Sequence, residues 1–491
     1  MSDPANNKWK TLDRDLGRLG QVELATQFIA KPMVGIGIAL IFLILAGLGA
    51  AVFFWQQPPF LIIAAAAVFG GYMALNIGAN DVANNMGPAV GANALTMGGA
   101  IAIAAVAESA GALLAGGDVV STISKGIIDP AGVAQTEIFI WAMMAALISS
   151  AMWVNLATYV GAPVSTTHSV VGGVMGAGIA AAGFGAVNWA TMSKIAASWV
   201  ISPVLGGVIA AIFLAFIKAK IIYQEDKIAA ARRWVPVLIG IMAAAFASYL
   251  ALKGLKRIYK IDLSLALMIG AATGFLLYFV SRPLINRQSQ GLENRNKSLK
   301  ILFNIPLILS AAMLSFAHGA NDVANAVGPL AAIVHALEFD GAATKVAIPL
   351  WVMIIGAFGI SFGLFLFGPK LIRMVGSQIT KLNAMRAYCV ALSAAITVIV
   401  ASWLGLPVSS THIAVGAVFG VGFYREYEVK LRAQKTAKSS KGHSIAPEER
   451  KRRKLVRRSH FMTIIAAWVI TVPAAALLSA VIFLVLNVIF V

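Results

Sequence analysis

The run Gly78-Ala79-Asn80-Asp81-Val82-Ala83-Asn84 returns letter for letter as Gly319-Ala320-Asn321-Asp322-Val323-Ala324-Asn325, 241 residues later. Both copies lie in apolar sequence long enough to cross a bilayer, and each is soon followed by Gly-Pro (Gly87-Pro88 and Gly328-Pro329). A carboxylate between amides is costly at that depth, so it marks a functional site by default. Carried twice, it marks a chain of two related halves with a site where they meet.

Composition agrees with a membrane setting. Of 491 residues, 59% are apolar and 12% charged, against roughly 25% charged in soluble domains. Long apolar runs occupy 34–55, 137–158, 195–217, 235–252, 262–280, 347–367, 386–404 and 461–490. Runs broken by Gly, Pro or polar residues occupy 60–76, 97–116, 164–184, 301–317 and 408–424. At roughly 20 residues per crossing, this predicts an all-α polytopic membrane protein with about ten to twelve embedded segments. Continuous runs of this length exclude a β-barrel, whose strands alternate. Residues 1–32 are polar, and the first apolar stretch has no small-residue cleavage site, which argues against a secretory leader.

The net charge of +19 invites a nucleic-acid reading, but its placement speaks for topology. Basic residues gather in 218–233, 281–300 and 425–459, the last with Arg450-Lys451-Arg452-Arg453-Lys454 and Arg457-Arg458. Lys and Arg concentrate in cytoplasmic loops and attract anionic lipid. One loop resists: Lys253, Lys256, Arg257 and Lys260 fall on the side opposite to 218–233. The single cysteine, Cys389, lies in an apolar run, which excludes an internal disulfide framework.

A second pair of signatures follows the first. Gly161-Ala162-Pro163-Val164-Ser165-Thr166-Thr167-His168 matches Gly405-Leu406-Pro407-Val408-Ser409-Ser410-Thr411-His412 at an offset of 244, and each runs into a Gly-rich stretch. A weaker third pair joins Trp199-Val-Ile-Ser202-Pro203 to Trp468-Val-Ile-Thr471-Val-Pro473. Fixed order and near-fixed offset argue for duplication. The chain divides into a tail and first span (1–59), a first repeat (60–217), linking spans with basic loops (218–300) and a second repeat (301–490) carrying the basic segment 425–459. The residues alone leave parallel and inverted repeats open.

Pro followed by Val and a run of Ser and Thr reads as a helix start, because proline and hydroxyl caps favour that position. Inside a membrane, such a half-helix offers free N–H groups and the positive end of its dipole, a ready anion site. Ser165, Thr166 and Thr167, with Ser409, Ser410 and Thr411, add neutral hydroxyl donors suited to phosphate or sulfate. In the other motif, Asp81 and Asn84, like Asp322 and Asn325, share a helical face three residues apart. Their oxygens suit Na⁺, Mg²⁺ or Ca²⁺, or a proton on the buried carboxyl. Two ionised carboxylates would repel a bound dianion at low dielectric, so anion binding requires a cation or proton with it. The flanking glycines allow helices broken where they line a cavity. Glu108, His318, His168 and His412 are further polar residues in apolar runs. Ser, Thr, Asn and His also serve as interhelical glue in membranes, and His168 and His412 suit a bond to a carbonyl equally well.

On Gly-Ala-Asn-Asp-Val-Ala-Asn and Pro-Val-Ser-(Ser/Thr)-Thr-His, each present twice, the chain resembles the inorganic phosphate transporter (PiT) family, closest to its bacterial low-affinity branch. The resemblance implies inverted repeats with broken, re-entrant helices and a phosphate site at their interface. It puts phosphate contacts on Ser165, Thr166, Thr167, Ser409, Ser410 and Thr411, aided by Asn80 and Asn321. It puts cation or proton handling on Asp81, Asn84, Asp322, Asn325 and Glu108. It implies a multi-pass protein of the bacterial cytoplasmic membrane that is not an enzyme, carries no resident cofactor and imports phosphate by proton symport. Neutral phosphate complexes of Mg²⁺, Ca²⁺ or Zn²⁺ are a further cargo of that branch. Lipid and phosphate are its partners, a homodimer is allowed and nucleic acid is not expected. Sodium-coupled relatives tend to carry an acidic residue before the second Pro-Val-Ser motif; residues 386–404 hold none, which favours protons.

Three other readings compete. A sulfate permease would use the same donors. An intramembrane metalloenzyme would use Asp81, Asp322, Glu108 and the histidines, but neither His-Glu-x-x-His nor Gly-x-Ser-x-Gly occurs. A passive anion channel is disfavoured because the acid pair would repel its own ion.

Overall fold

The computed structural model describes residues 33–56, 59–128, 133, 135–160, 164–254, 261–339, 348–378, 382–439 and 458–491. Pro163 of the first cap motif, three of the four basic residues of the resisting loop, and 440–457 of the basic segment lie outside them. Sixteen α-helices carry the described chain. They are α1 (Met33–Phe53), α2 (Phe60–Asn80), α3 (Val82–Gly91), α4 (Met97–Ala115), α5 (Gly117–Ser121), α6 (Thr136–Val160), α7 (Thr166–Ala182) and α8 (Trp189–Ile217). After them come α9 (Lys227–Lys253), α10 (Leu263–Gln288), α11 (Asn296–Leu302), α12 (Asn304–Phe339), α13 (Leu350–Gln378), α14 (Ala384–Trp403), α15 (Ser410–Ser439) and α16 (Arg458–Phe490). A π-helical turn, Thr122–Gly126, follows α5. Among the described residues, eleven helical stretches are long and apolar enough to cross a membrane, with α2 and α3 counted as one. The chain is a multi-pass membrane protein.

Helix starts follow the sequence. Thr96, Ser165, Asn188, Asp226, Asp262 and Asn383 each accept a backbone N–H three residues on, satisfying a donor that the first turn leaves free. Helix α15 runs on to Ser439, so residues 425–439 of the basic segment continue a helix rather than forming a loop. The first Asn-Asp motif breaks between α2 and α3 at Asp81, as expected. The second does not: α12 is continuous through Asn321–Asn325.

The repeats run in opposite directions. Lys227 N–H donates to Asn294 Oδ1 (2.9 Å) and Asn294 Nδ2 to the Glu225 carbonyl (2.7 Å), so α9 and α11–α12 start on one face. That face carries the basic loops. Lys253, at the other end of α9, pairs with Asp118, just beyond the end of α4. Helix α4 therefore ends on the far face, and α2–α3, which precede it, run toward the basic face. Helix α12 starts from the basic face, so the two Asn-Asp helices are antiparallel and the repeats inverted.

The halves are interleaved rather than side by side. Helix α2 packs on α13 and α12 on α4; α7 packs on α16 and α15 on α8. Each contact joins one repeat to the other, and each recurs with the repeats exchanged. Equivalent residues meet where the halves turn into one another. Ser109 and Ser361 hydroxyls lie 2.7 Å apart, and the rings of His168 and His412 meet edge to face at 4.5 Å. The largely buried α12 and α14 form the centre, whereas α1, α10 and α16 show apolar faces outward.

Close helix approach rests on glycine, as is usual where lipid supplies no hydrophobic drive. A Cβ at Gly319 would lie 2.2 Å from the Glu108 carbonyl oxygen, and one at Gly78 1.9 Å from that of Ile360. Both neighbours are helix backbone and cannot swing aside. Gly319→Ala should therefore force α12 off α4 and destabilise the protein by about 1–3 kcal/mol, read as earlier thermal unfolding in detergent; an unchanged transition would contradict this packing.

Candidate functional site

The two capped half-helices and the two Asn-Asp motifs converge on one buried cluster. The Ser165 hydroxyl accepts from His168 N–H (3.1 Å), and that of Ser409 from His412 N–H (3.3 Å). These two serines therefore serve as caps, which leaves the following hydroxyls to face the Asn-Asp motifs. Thr166 donates to Asp81 Oδ2 at 2.6 Å, and its counterpart Ser410 donates to Asp322 Oδ2 at 3.1 Å. Asn84 donates to Thr411 Oγ1 at 2.9 Å, and its counterpart Asn325 donates to Thr167 Oγ1 at 3.1 Å. Thr411 also donates to Asp81 Oδ1 (3.2 Å), and Thr167 to the Val408 carbonyl (3.0 Å). Asn84 reaches from the first repeat into the second, and Asn325 does the reverse. All these side chains are buried.

Asn80 and Asn321 stand differently from the other predicted contacts. Asn80 donates to Thr158 Oγ1 (2.8 Å). Asn321 donates to Ser402 Oγ and the Leu406 carbonyl and accepts from Val408 N–H. Both brace the chain leading into the half-helices.

Besides the differing bonds of Thr411 and Thr167, the symmetry fails around Glu108 and His318. Glu108 reaches His318 Nδ1 with Oε2 (2.5 Å) and accepts from Asn85 with Oε1 (3.0 Å). His318 Nε2 lies 2.7 Å from Asp322 Oδ2, off hydrogen-bond alignment. In the other half Ile77 stands for His318. Ile360 stands for Glu108, since Gly78 meets the Ile360 carbonyl as Gly319 meets that of Glu108. The buried acid–imidazole pair thus occurs on one side of the cluster only. Its imidazole touches Asp322 directly and lies within 4.8 Å of Asp81 as well, and Ile360 and Ile77 hold the equivalent positions on the other side. His318 was visible in the sequence as a polar residue in an apolar run where the first repeat has Ile77; its contacts with Glu108 and Asp322 come from the fold.

The cluster has free capacity. Asp322 Oδ1 and Asn325 Oδ1 are buried and have no hydrogen-bond partner among the described residues, and an unpaired buried acceptor costs about 1–3 kcal/mol. One ligand atom each from Asp81, His318 and Asp322 lies within 4.8 Å of the others, a spacing a cation could bridge. Carboxylate and amide oxygens suit hard cations, and the imidazole adds a donor that zinc accepts. A phosphate has its donors close by, in the hydroxyls of Thr166, Thr167, Ser410 and Thr411.

Residues 77–479 match the Phosphate transporter family. The chain belongs to the phosphate transporter family. Its relatives include a Helicobacter pylori protein provisionally named a phosphate permease, 46% identical over 96% of this chain and 99% of that one. A chloroplastic inorganic phosphate transporter of Arabidopsis thaliana is 36% identical over 86% of this chain and 71% of its own length. A solved structure titled the sodium-dependent phosphate transporter superposes with a TM-score of 0.78, at 36% identity over 87% of this chain and all of that one. Both signature pairs fall inside the matched region. The transporter's family makes it a carrier rather than an enzyme, and phosphate is the family's substrate.

In this transporter Thr411 of the second half touches two residues of the first half's Asn-Asp motif, Asp81 and Asn84. Thr411→Val keeps its shape and removes both bonds. It should raise the apparent Michaelis constant for phosphate about tenfold, the worth of one lost hydrogen bond to a charged group. A concentration series of labelled phosphate uptake measures this, and an unchanged constant would move the cradle elsewhere.

Proposed function

We propose that the protein imports inorganic phosphate by proton symport across a bacterial cytoplasmic membrane, with its basic loops in the cytoplasm as the positive-inside rule requires. The observation that carries this reading is the sharing of donors. Thr166 and Thr411 donate to Asp81, and Ser410 donates to Asp322. A phosphate needs these same hydroxyls. While the carboxylates are ionised they hold the donors and repel the anion. A proton, or a cation held by Asp81, Asn84, Asp322 and Asn325, weakens that hold and turns the hydroxyls toward phosphate. Anion and cation then bind together or not at all, which is the requirement for coupled transport. Interleaved inverted repeats suit the next step, rocking of one bundle against the other around a fixed midplane site.

A divalent metal bound with phosphate as a neutral complex fits the same charge balance, and Asp81, His318 and Asp322 are the groups that would meet it as cargo. Sodium coupling is the second reading, favoured by the sodium-dependent relative of known structure; against it stands the lack of any acidic residue in 386–404.

Uptake of labelled phosphate into proteoliposomes under an imposed pH gradient, with and without Na⁺ and Mg²⁺, tests these readings. Accumulation without Na⁺ is expected. Accumulation only with a Na⁺ gradient would transfer the chain to sodium coupling, and a Mg²⁺ requirement would make the complex the cargo. Sulfate that competes as well as phosphate would overturn the substrate assignment.

A further inference from the structure

The basic residue Lys253 sits on the far face, away from the basic loops, where the positive-inside rule does not favour it. Its surroundings account for it. Lys253 closes α9, in the segment that links the repeats and belongs to neither. Its Nζ pairs with Asp118 at the start of α5 in the first repeat, and donates to the carbonyl of Trp403 at the end of α14 in the second (3.1 Å). One turn beyond Asp118, Thr122 Oγ1 donates to the Gly405 carbonyl (2.7 Å). Gly405 has φ +68°, a conformation glycine adopts without strain, and it is the hinge from which the second half-helix departs. The next carbonyl, that of Leu406, is held by Asn321 of the Asn-Asp motif. A continuous line of bonds thus runs from Lys253 through the Gly405 turn to the residue beside Asp322.

The other end of the assembly lacks this arrangement. Repeat equivalence sets Lys370 opposite Asp118 and Tyr159 opposite Trp403. No hydrogen bond or ion pair joins Lys370 to Tyr159 among the described residues, and Tyr159 is 86% exposed against 42% for Trp403. The cation at this end comes from the α9–α10 hairpin, which has no duplicate among the described residues.

We propose that Lys253 is a positioning residue for transport, which ties Asp118 to the Trp403–Gly405 turn and so holds the second half-helix in place with the far face closed. For a carrier that exposes its site to each face in turn, opening the far face requires Lys253 to release Trp403 and Asp118. Lys253 touches neither phosphate nor cation in this scheme; it sets how often the far face opens.

The test uses the full-length protein in proteoliposomes. Leu406→Cys places a reporter thiol beside the hinge, and the natural Cys389 is fully buried. Lys253→Met and Asp118→Asn should each speed reaction of that thiol with an impermeant maleimide on the far face by about tenfold, the shift expected when a few bonds biasing a two-state equilibrium are lost. The exchanged pair, Lys253→Asp with Asp118→Lys, should return the rate toward that of the parent, which a general loosening of the fold would not. An unchanged rate in Lys253→Met, or no recovery in the exchanged pair, would overturn the proposal. If the single variants fail to fold, Lys253→Cys with Asp118→Cys joined by a cleavable bifunctional thiol reagent decides the matter. Uptake should stop while joined and return on cleavage, and transport through the joined protein would refute the latch. Thiol accessibility does not depend on which anion or cation is carried, so this outcome is separate from that of the coupling reading.

Discussion

Asp81→Asn and Asp322→Asn should each abolish accumulation of phosphate against a gradient while leaving the protein folded in the membrane. Asparagine keeps the size of aspartate but removes the charge and one acceptor. Asp81 receives Thr166 and Thr411, and Asp322 receives Ser410. These bonds compete with phosphate for the same hydroxyls, so it is the lost charge, not the lost bonds, that should bring driven uptake down to background. The amide can no longer take up or release a proton, nor attract a cation strongly. The freed hydroxyls remain able to hold phosphate, so exchange of labelled for unlabelled phosphate should outlast accumulation. Measuring accumulation and exchange side by side distinguishes loss of coupling from loss of binding. Normal accumulation by both variants would remove the carboxylates from the coupling role.

The Glu108–His318 pair carries the second large effect. Each member sits in the protein interior beside the other, and His318 also adjoins Asp322. Removing one member breaks the buried pair and leaves the other only a single remaining partner, Asp322 for His318 and Asn85 for Glu108. Glu108→Leu or His318→Leu alone should therefore cost about 3 kcal/mol, read as a lower unfolding temperature in detergent. The opposite half contains the control, because Ile360 and Ile77 fill the same positions there without charge. Glu108→Ile with His318→Ile copies that solution and should regain most of the lost stability. It should not regain coupled uptake, since Asp322 would lose its imidazole partner and the cluster the one imidazole near both aspartates. Single variants as stable as the parent, or a double variant that accumulates phosphate normally, would contradict this account.

Much of the site was legible because its parts are short, local and duplicated. Ser165 and Ser409 cap their half-helices as the Pro-Val-Ser pattern required, since a cap is decided by residues three apart. Spacing alone brought Asp81 near Asn84, and Asp322 near Asn325. Other assignments depended on what lies across the bundle. Asn80 and Asn321 share the motif with the aspartates, yet their amides turn to Thr158 and Ser402. Glycine beside a motif permits a break without compelling one, and α12 is continuous where α2 and α3 are interrupted at the single residue Asp81. Lys253 looked like an exception to topology because its partners, Asp118 and Trp403, are 135 and 150 residues away.

The sequence by itself determined that the chain is a helical membrane protein of two related halves. It marked the acids and amides of one motif and the hydroxyls of the other as the polar residues to watch. Composition, periodicity and repetition are properties of the chain, and the cost of burying an aspartate is set by the solvent. Only the tertiary structure decided that the halves are inverted and interleaved, so that Asn84 serves Thr411 and Asn325 serves Thr167. It alone made one acid differ from the other by setting Glu108 and His318 where the second half has Ile360 and Ile77. Direction through the membrane and contact between distant helices follow from how many crossings separate two segments and which small residues let backbones touch. Those are sums over the whole chain, and no local pattern records them.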